Sequence, residues 1–222
     1  MGIMATGIMA TPANLLVLAA AAVALIYGVF ILHRPENLFR SIVKTAPVAL
    51  LAVAALLAGL PVVIVLALAA CAAGDWFLSM EGETDFLLGL GAFLLGHLLY
   101  TTRFLSLIST GQFLTADMGL LALILLALIA TVLMRLWPYL HGLKLPVVIY
   151  AFAIAAMAFT AKAANPGQMV LAGIALFMVS DIILAQERFT PLTNSILRRA
   201  MPYLVWFLYF AGQALIVYGM IG

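Results

Sequence analysis

The sequence predicts an all-α fold, a polytopic bundle of about eight transmembrane helices. Of the 222 residues 67% are hydrophobic and only 8% are charged, and the mean hydropathy is +1.26. Soluble globular domains do not have such a composition. Apolar stretches of about 18 residues or more, each long enough to cross the hydrocarbon core as a helix, follow one another between short polar breaks. They are apolar on every side, unlike the alternating strands of a membrane barrel.

The polar breaks divide the chain into eight spans within one transmembrane domain, residues 1–222. In chain order the predicted spans are 13–32, 45–58, 61–79, 86–105, 118–134, 146–164, 168–185 and 203–221. AGLP at 58–61 separates the second span from the third, because Pro lacks an amide hydrogen and Gly relaxes the backbone. NPG at 165–167 separates the sixth from the seventh. The N-terminus has no positively charged segment, so no cleavable signal peptide is expected.

The basic residues predict the orientation, because Lys and Arg in short loops stay in the cytoplasm. Those in or beside odd-numbered loops are Arg34, Arg40, Lys44, Arg135, Lys144, Arg188, Arg198 and Arg199. Only Arg103 and Lys162 fall on the other side. We therefore expect cytoplasmic odd-numbered loops and both termini outside, in a bacterial inner membrane as the short loops suggest. A net charge of +2, scattered over loops, does not indicate a nucleic-acid partner.

Two similar segments suggest an internal duplication. AAGDWFL at 72–78 and MVSDIIL at 178–184 both place a small residue before Asp and a Leu three residues after it. They end spans three and seven, so equivalent helices would run in the same direction. This pattern predicts a possible parallel four-plus-four arrangement.

The aspartates of these segments, Asp75 and Asp181, are the main candidate functional residues. Counted from Met80 and Gln186 as helix ends, each lies about 8 Å inside its helix. A charge within a membrane helix costs about 2.5 to 3.5 kcal/mol on insertion scales, so two at one level indicate an inward-facing polar cavity. The alternative is structural: an ion pair, for example with Lys44, or a protonated carboxyl group.

Further polar side chains lie in the predicted spans. His97 and Tyr100 are three residues apart on the fourth span, Tyr209 and Gln213 four apart on the eighth, and Ser180 precedes Asp181. Helical spacing puts each of the first two pairs on one face. For His97 alone, an interhelical hydrogen bond is the favoured interpretation.

No metal or cofactor site is expected. The histidines are His33, His97 and His141, and the first and last are predicted at loop depth, which argues against a three-histidine zinc site. The single cysteine, Cys71, provides no disulfide framework.

Five segments together resemble the lysoplasmalogenase (YhhN-like) family of eight-span membrane hydrolases. They are KTAP (44–47), GDWFL (74–78), FLLGLGAFLLGHLLY (86–100), SDIILA (180–185) and YFAGQALIV (209–217). The resemblance implies hydrolysis of the vinyl ether bond of lysoplasmalogens, lysophospholipids of the membrane, to a fatty aldehyde and glycerophosphoethanolamine or glycerophosphocholine. Matching positions are Lys44, Asp75, His97, Tyr100, Ser180, Asp181 and Gln213.

The two aspartates suit this chemistry. Vinyl ether hydrolysis needs an acid to protonate the alkene carbon and an ionised group to activate water, and two carboxyl groups in a cavity can divide these tasks. The sequence does not assign which aspartate does which. Lys44 is expected to bind the phosphate or to hold the ionised carboxylate.

Two other functions would also use paired aspartates. A proton-coupled transporter would place carboxyl groups in a cavity, but its broken helices would need Gly or Pro within matching spans, and the prolines lie mainly at span ends. An intramembrane aspartyl protease would need a Gly-x-Gly-Asp stretch, where this chain has Ala72 at the first Gly position.

Overall fold

A computed structural model describes residues 11–109, 113, 115–191 and 193–222, and this part of the chain is helical without strands. The helices are α1 Pro12–Ile26, α2 Leu38–Leu57, α3 Val62–Phe77, α4 Glu83–Leu105, α5 Ala116–Leu136, α6 Lys144–Ala164, α7 Gln168–Phe189 and α8 Ser195–Ile221. A π-helical segment, Tyr27–Ile31, continues α1, and two short 3-10 turns lead from α5 to α6.

The predicted polytopic bundle of eight helices is confirmed. Seven helices are long and apolar enough to cross a membrane, counting α1 with its π-helical extension, and α3 with 16 residues is shorter. Large apolar side chains cover the outside, for example Leu18, Leu123 and Met134, each at least 66% exposed. Such a surface suits contact with lipid rather than water. The predicted N-terminal features lie mostly in residues 1–10, outside the described residues, and the four-plus-four duplication remains a prediction.

The turns between helices follow the predicted breakers. Gly59 (φ 72°) precedes Leu60 and Pro61 at the start of α3, so α2 and α3 are two helices. Asn165 (φ 47°) and Gly167 (φ 109°) have left-handed backbone on either side of Pro166 and end α6 before α7 begins. Both turns thus use residues that tolerate positive φ.

Two helices begin earlier than the apolar pattern predicts. α2 starts at Leu38 rather than 45, because the Asn37 side chain accepts a hydrogen bond from the Arg40 amide at 2.8 Å. α8 starts at Ser195 rather than 203, capped by Asn194. An N-cap starts a helix among polar residues that a hydropathy count leaves out. Lys44 therefore lies in the second turn of α2 and not at its end.

Glycines allow the closest helix contacts in the bundle. A Cβ added at Gly173 of α7 would lie 2.6 Å from the carbonyl oxygen of Gly212 in α8. Between α3 and α4, Gly96 faces Cys71 and Gly89 faces Leu78, whereas Gly91 has no atom within 4 Å of such a Cβ. α5 packs mainly against α6 and only slightly against α7. One side of the bundle is therefore more open than the other.

Candidate active site

A cavity of about 660 Å³ lies at the end of the bundle where the odd-numbered loops are. Its walls come from the ends of α1, α2, α3, α4, α7 and α8 that meet there. The polar and charged side chains among its lining residues are Tyr27, His33, Arg40, Lys44, Asp75, Glu81, Ser180, Asp181, Glu187, Arg188, Trp206 and Tyr209. Both candidate aspartates line this one cavity.

Asp75 is buried near the end of α3. Only 2% of its surface is exposed, and its Oδ2 accepts a hydrogen bond from the Tyr209 hydroxyl at 2.8 Å. It lies two residues before the last residue of the helix. The Lys44 ammonium interacts with it electrostatically without a direct ion pair between them. Burial of Asp75 disfavours the ionised form of its carboxyl group, whereas the nearby cation and the hydroxyl donor favour that form.

Two cations of α2 bind the C-terminal end of α3. Lys44 Nζ donates to the Leu78 carbonyl at 2.9 Å, and Arg40 Nη1 donates to the Ser79 carbonyl at 3.1 Å. The last carbonyls of a helix lack partners within the helix and carry partial negative charge, so basic side chains stabilise them. These contacts fix Lys44 and Arg40 beside Asp75.

Asp181 is surrounded by a different set of groups. Its Oδ2 lies 3.1 Å from His97 Nε2, and the Tyr150 hydroxyl donates to it at 3.3 Å. The contact with His97 is close, but the oxygen is not aligned with a hydrogen on Nε2 as in a hydrogen bond donated by the ring. We treat it as a polar contact in which either atom can hold the proton.

The other ring nitrogen restricts where His97 can carry hydrogen. Nδ1 lies 2.7 Å from the carbonyl oxygen of Phe93, which can only accept, so Nδ1 is the donor. In a neutral ring Nε2 is then bare and faces Asp181. One proton between the two groups would satisfy both of them, as a neutral pair or as an ion pair.

Aromatic rings hold this histidine in place. His97 is fully buried, stacks on Phe177 at 4.5 Å between ring centroids, and meets Tyr150 edge-on at 5.3 Å. Phe93, whose carbonyl it binds, also packs edge-on against Tyr209 at 5.5 Å. The aromatic cluster thus connects the surroundings of the two aspartates.

Not every predicted site residue reaches the cavity. Lys44, Asp75, Ser180, Asp181 and Tyr209 line it. His97 is not among the lining residues, but it contacts Asp181, which lines the cavity.

Tyr100 and Gln213 are fully buried away from the cavity and bind each other. The Tyr100 hydroxyl donates to Gln213 Oε1 at 2.7 Å, and Gln213 Nε2 lies 3.4 Å from Cys71 Sγ. Among the described residues, these contacts join α3, α4 and α8, so we interpret them as structural.

The expected equal depth of the two aspartates was wrong when measured from the helix ends. α3 ends at Phe77 and α7 at Phe189, so Asp75 is two residues from its end and Asp181 eight. α3 ends two residues before the apolar stretch does, and the carbonyls of Leu78 and Ser79 just after it bind side chains of α2, whereas α7 continues past its apolar stretch. The two carboxyl groups reach one cavity because α3 is short.

Sequence reasoning missed several side chains around the cavity and Asp181, among them Tyr27, Arg40, Tyr150, Glu187 and Trp206. Tyr27 lies in the π-helical segment and packs on Trp206 at 4.4 Å between ring centroids. π-helical insertions often mark functional sites, but no residue pattern announces one in advance.

No metal site is evident in the described part of the chain, where no group of three or more His, Cys, Asp or Glu is placed to hold an ion. The cavity instead brings together carboxyl groups, basic side chains and aromatic rings. Fold and cavity define a membrane-spanning helical protein with two buried acids at one end.

The comparison with known proteins identifies the group to which it belongs. The YhhN family model matches residues 39–220, and the chain belongs to the YhhN family. It is similar to the lysoplasmalogenases of Mycobacterium bovis and Mycobacterium tuberculosis, 35% identical to each over 159 residues. That match covers 69% of this chain and 58% of each relative, so the chain spans less than two thirds of their length. No solved structure matches the chain significantly.

Proposed function

We propose that this protein hydrolyses the vinyl ether bond of lysoplasmalogens within the membrane, releasing a fatty aldehyde and a glycerophospho-alcohol. The observation that carries the proposal is the pair of buried carboxyl groups, Asp75 and Asp181, in one cavity with different surroundings. The similarity to proteins named lysoplasmalogenase supports the choice of substrate.

The different surroundings divide the roles. We assign the acid role to Asp181, which would share a proton with His97, and the base role to Asp75, which lies beside Lys44 and Tyr209. Two carboxyl groups whose environments favour opposite protonation states supply an acid and a base at one pH. His97 acts through Asp181 and is a positioning residue.

The reaction begins with protonation of the alkene and addition of water. Asp181 gives its proton to the alkene carbon remote from oxygen, and the electron pair of the double bond forms the new C–H bond. The resulting oxocarbenium ion is stabilised by the Asp75 carboxylate. Water adds to the cationic carbon while Asp75 takes one of its protons, which gives a hemiacetal.

Collapse of the hemiacetal restores both carboxyl groups. Asp181, now a carboxylate, accepts the hemiacetal hydroxyl proton as the carbonyl forms. The bond to the glycerol oxygen breaks, and Asp75 returns its proton to that oxygen. One water is consumed, and neither redox chemistry nor a cofactor is required.

The mouth of the cavity suits the headgroup. Arg40 and Lys44 retain donors beyond those bound to the α3 carbonyls, and no acceptor among the described residues binds the buried Nε of Arg40. Guanidinium and ammonium groups are the usual partners of phosphate. Glu187 lines the same cavity, and its carboxylate would pair with the positively charged ammonium group of ethanolamine or choline.

The direct test is aldehyde release by purified protein in detergent, with 1-alkenyl lysophosphatidylethanolamine as substrate and its saturated-ether analogue as control. We expect aldehyde from the first only. Asp75→Asn and Asp181→Asn should each lower the rate at least about a hundredfold, the usual size of a lost acid or base. Asp117→Asn, an exposed carboxylate at the other end of the bundle, is the matched control.

The same assay distinguishes the competing functions, because detergent removes any gradient that a transporter needs. Absence of aldehyde from well-folded wild-type protein would refute the proposal. Full activity in either aspartate variant would refute the proposed mechanism. The proposed substrate would then stand, and other residues would have to catalyse the reaction.

A further inference from the structure

A second, narrow cleft of about 90 Å³ lies between α4, α5, α6 and α7, next to the cavity. Of the described residues that line it, only Tyr150, Asp181 and Arg188 carry a polar or charged group. The rest are apolar, among them Leu125, Ile129, Ile154, Ala155 and Met178. Such a lining suits a hydrocarbon ligand.

The cleft and the cavity meet at Asp181. Both are lined by Leu78, Phe86, Phe93, Asp181, Leu184 and Arg188. On the cavity side of this border lie charged groups such as Lys44 and Glu187. The described structure therefore changes from polar to apolar across one carboxyl group.

The cleft also lies where helix packing is loosest. α7 packs extensively against α8, less against α6, and only slightly against α5. These helices are membrane spans, and the cleft is not fully enclosed. Along α5 the lining extends from Leu136 to Leu125, which is about 16 Å in helix rise.

We infer that this cleft binds the hydrocarbon chain of the lysolipid, which enters sideways from the bilayer between α5 and α7. The inference rests on the proposed function for its substrate, and it places the headgroup in the cavity and the first chain carbons in the cleft. The vinyl ether joins headgroup and chain, so it comes to lie at the junction, beside Asp181.

Photolabelling tests this placement without any hydrolysis. The probe is a saturated-ether lysophosphatidylethanolamine that carries a diazirine in the middle of its chain, bound to the wild-type protein in lipid nanodiscs and mapped by mass spectrometry. We expect labels on cleft residues of α5 and α6, such as Ile129 and Ile154. Labels confined to helices other than α4, α5, α6 and α7, or no label that competes with unlabelled lysolipid, would overturn the inference.

A filled cleft should exclude the chain. Ala155→Phe places a ring in the cleft, where it would occupy the space of the chain. Specific labelling should therefore fall about tenfold, in line with the cost of overpacking a fitted apolar site. Ala130→Phe is the matched control, since Ala130 is an exposed residue of α5 outside the cleft. Equal labelling of both variants would contradict the placement.

The failures of the two proposals are distinguishable. If the wild type is labelled in the cleft but releases no aldehyde from the vinyl ether substrate, the chain site stands and the proposed reaction fails. If aldehyde is released and labelling lies elsewhere, the reaction stands and the cleft is not the chain site.

Discussion

Asp75 and Asp181 are stabilised by different groups, and this difference is the basis of the proposed mechanism. Tyr209 donates to Asp75, and Lys44 lies beside it, held by the Leu78 carbonyl. Asp181 instead faces a histidine whose other nitrogen donates to a backbone carbonyl. Because each aspartate has a fixed set of partners, substitutions of those partners should affect one step more than another.

Lys44→Met tests whether the α2 cation assists the reaction. We expect kcat/KM for the lysoplasmalogen to fall about tenfold or more, since a charge-assisted contact to phosphate or carboxylate is lost. Lys162→Met removes an exposed cation at the opposite end and should change nothing. Steady-state kinetics on both variants, with monodispersity checked, gives the answer. Unchanged kinetics in Lys44→Met would remove this lysine from the site.

His97→Gln tests the positioning role of the histidine. The rate should fall about tenfold to a hundredfold with an altered pH profile, because Asp181 loses the group with which it shares a proton. The double variant with Asp181→Asn should be no slower than Asp181→Asn alone, since residues that act as a unit are not additive. A merely structural histidine would give additive losses and an unchanged pH profile.

The aspartates were predictable from sequence, whereas most of their partners were not. A carboxyl group in an apolar helix carries a large cost and so stands out. A tyrosine near a helix end does not, because tyrosines are common at membrane interfaces whatever their role. Tyr150 and Tyr27 could therefore be assigned only from the fold. Gln213 looked like a site residue because it is polar, although its partner is Tyr100.

At the scale of helices, the contact of α7 with α8 depends on the absence of side chains. Gly173 and Gly212 bring the two backbones together, so that an added Cβ at either position meets a carbonyl oxygen at 2.6 or 2.7 Å. α7 carries Asp181 and α8 carries Tyr209, the partner of Asp75. The spacing of these helices therefore sets the width of the cavity.

Gly173→Ala should destabilise the protein by about 1 to 3 kcal/mol, because the backbone of α8 must move to admit the methyl group. The expected observation is a lower midpoint of thermal unfolding in detergent. Gly91→Ala is the control, since its methyl group would meet open space. Equal midpoints in the two variants would show that the contact is not as close as described.

The existence of the helices followed from hydropathy, but their ends did not. Asn37 and Asn194 start α2 and α8 among polar residues, seven or eight residues before the apolar stretches begin. Capping depends on local hydrogen bonds that a sliding average cannot detect. The carbonyls just after α3 likewise bind Lys44 and Arg40, which are distant in sequence.

Over the whole molecule, charge is concentrated at one end. Apart from Arg103, Asp117 and Lys162, every Lys, Arg, Asp and Glu of the sequence lies at the end where the cavity opens. Because basic residues resist translocation, this end is expected to face the cytoplasm. The active site would then take its substrate from the inner leaflet.

Cysteine labelling in intact bacteria tests this orientation. Leu107→Cys, in the loop after α4, should react with a membrane-impermeant maleimide from outside, whereas Thr193→Cys, before α8, should react only after lysis. Both positions are exposed, and the native Cys71 is buried and should stay silent. The reverse labelling pattern would invert the predicted topology.

The shortness of α3 bears on how a reaction within a bilayer obtains its second reactant. Its 16 residues rise about 24 Å, several ångströms less than the roughly 30 Å hydrocarbon thickness. The end of this short helix leaves a depression, with Asp75 at its bottom and longer helices around it. In the proposed reaction, bulk water would reach the carboxyl groups through this depression, so hydrolysis would need no dedicated channel while the lipid arrives from the side.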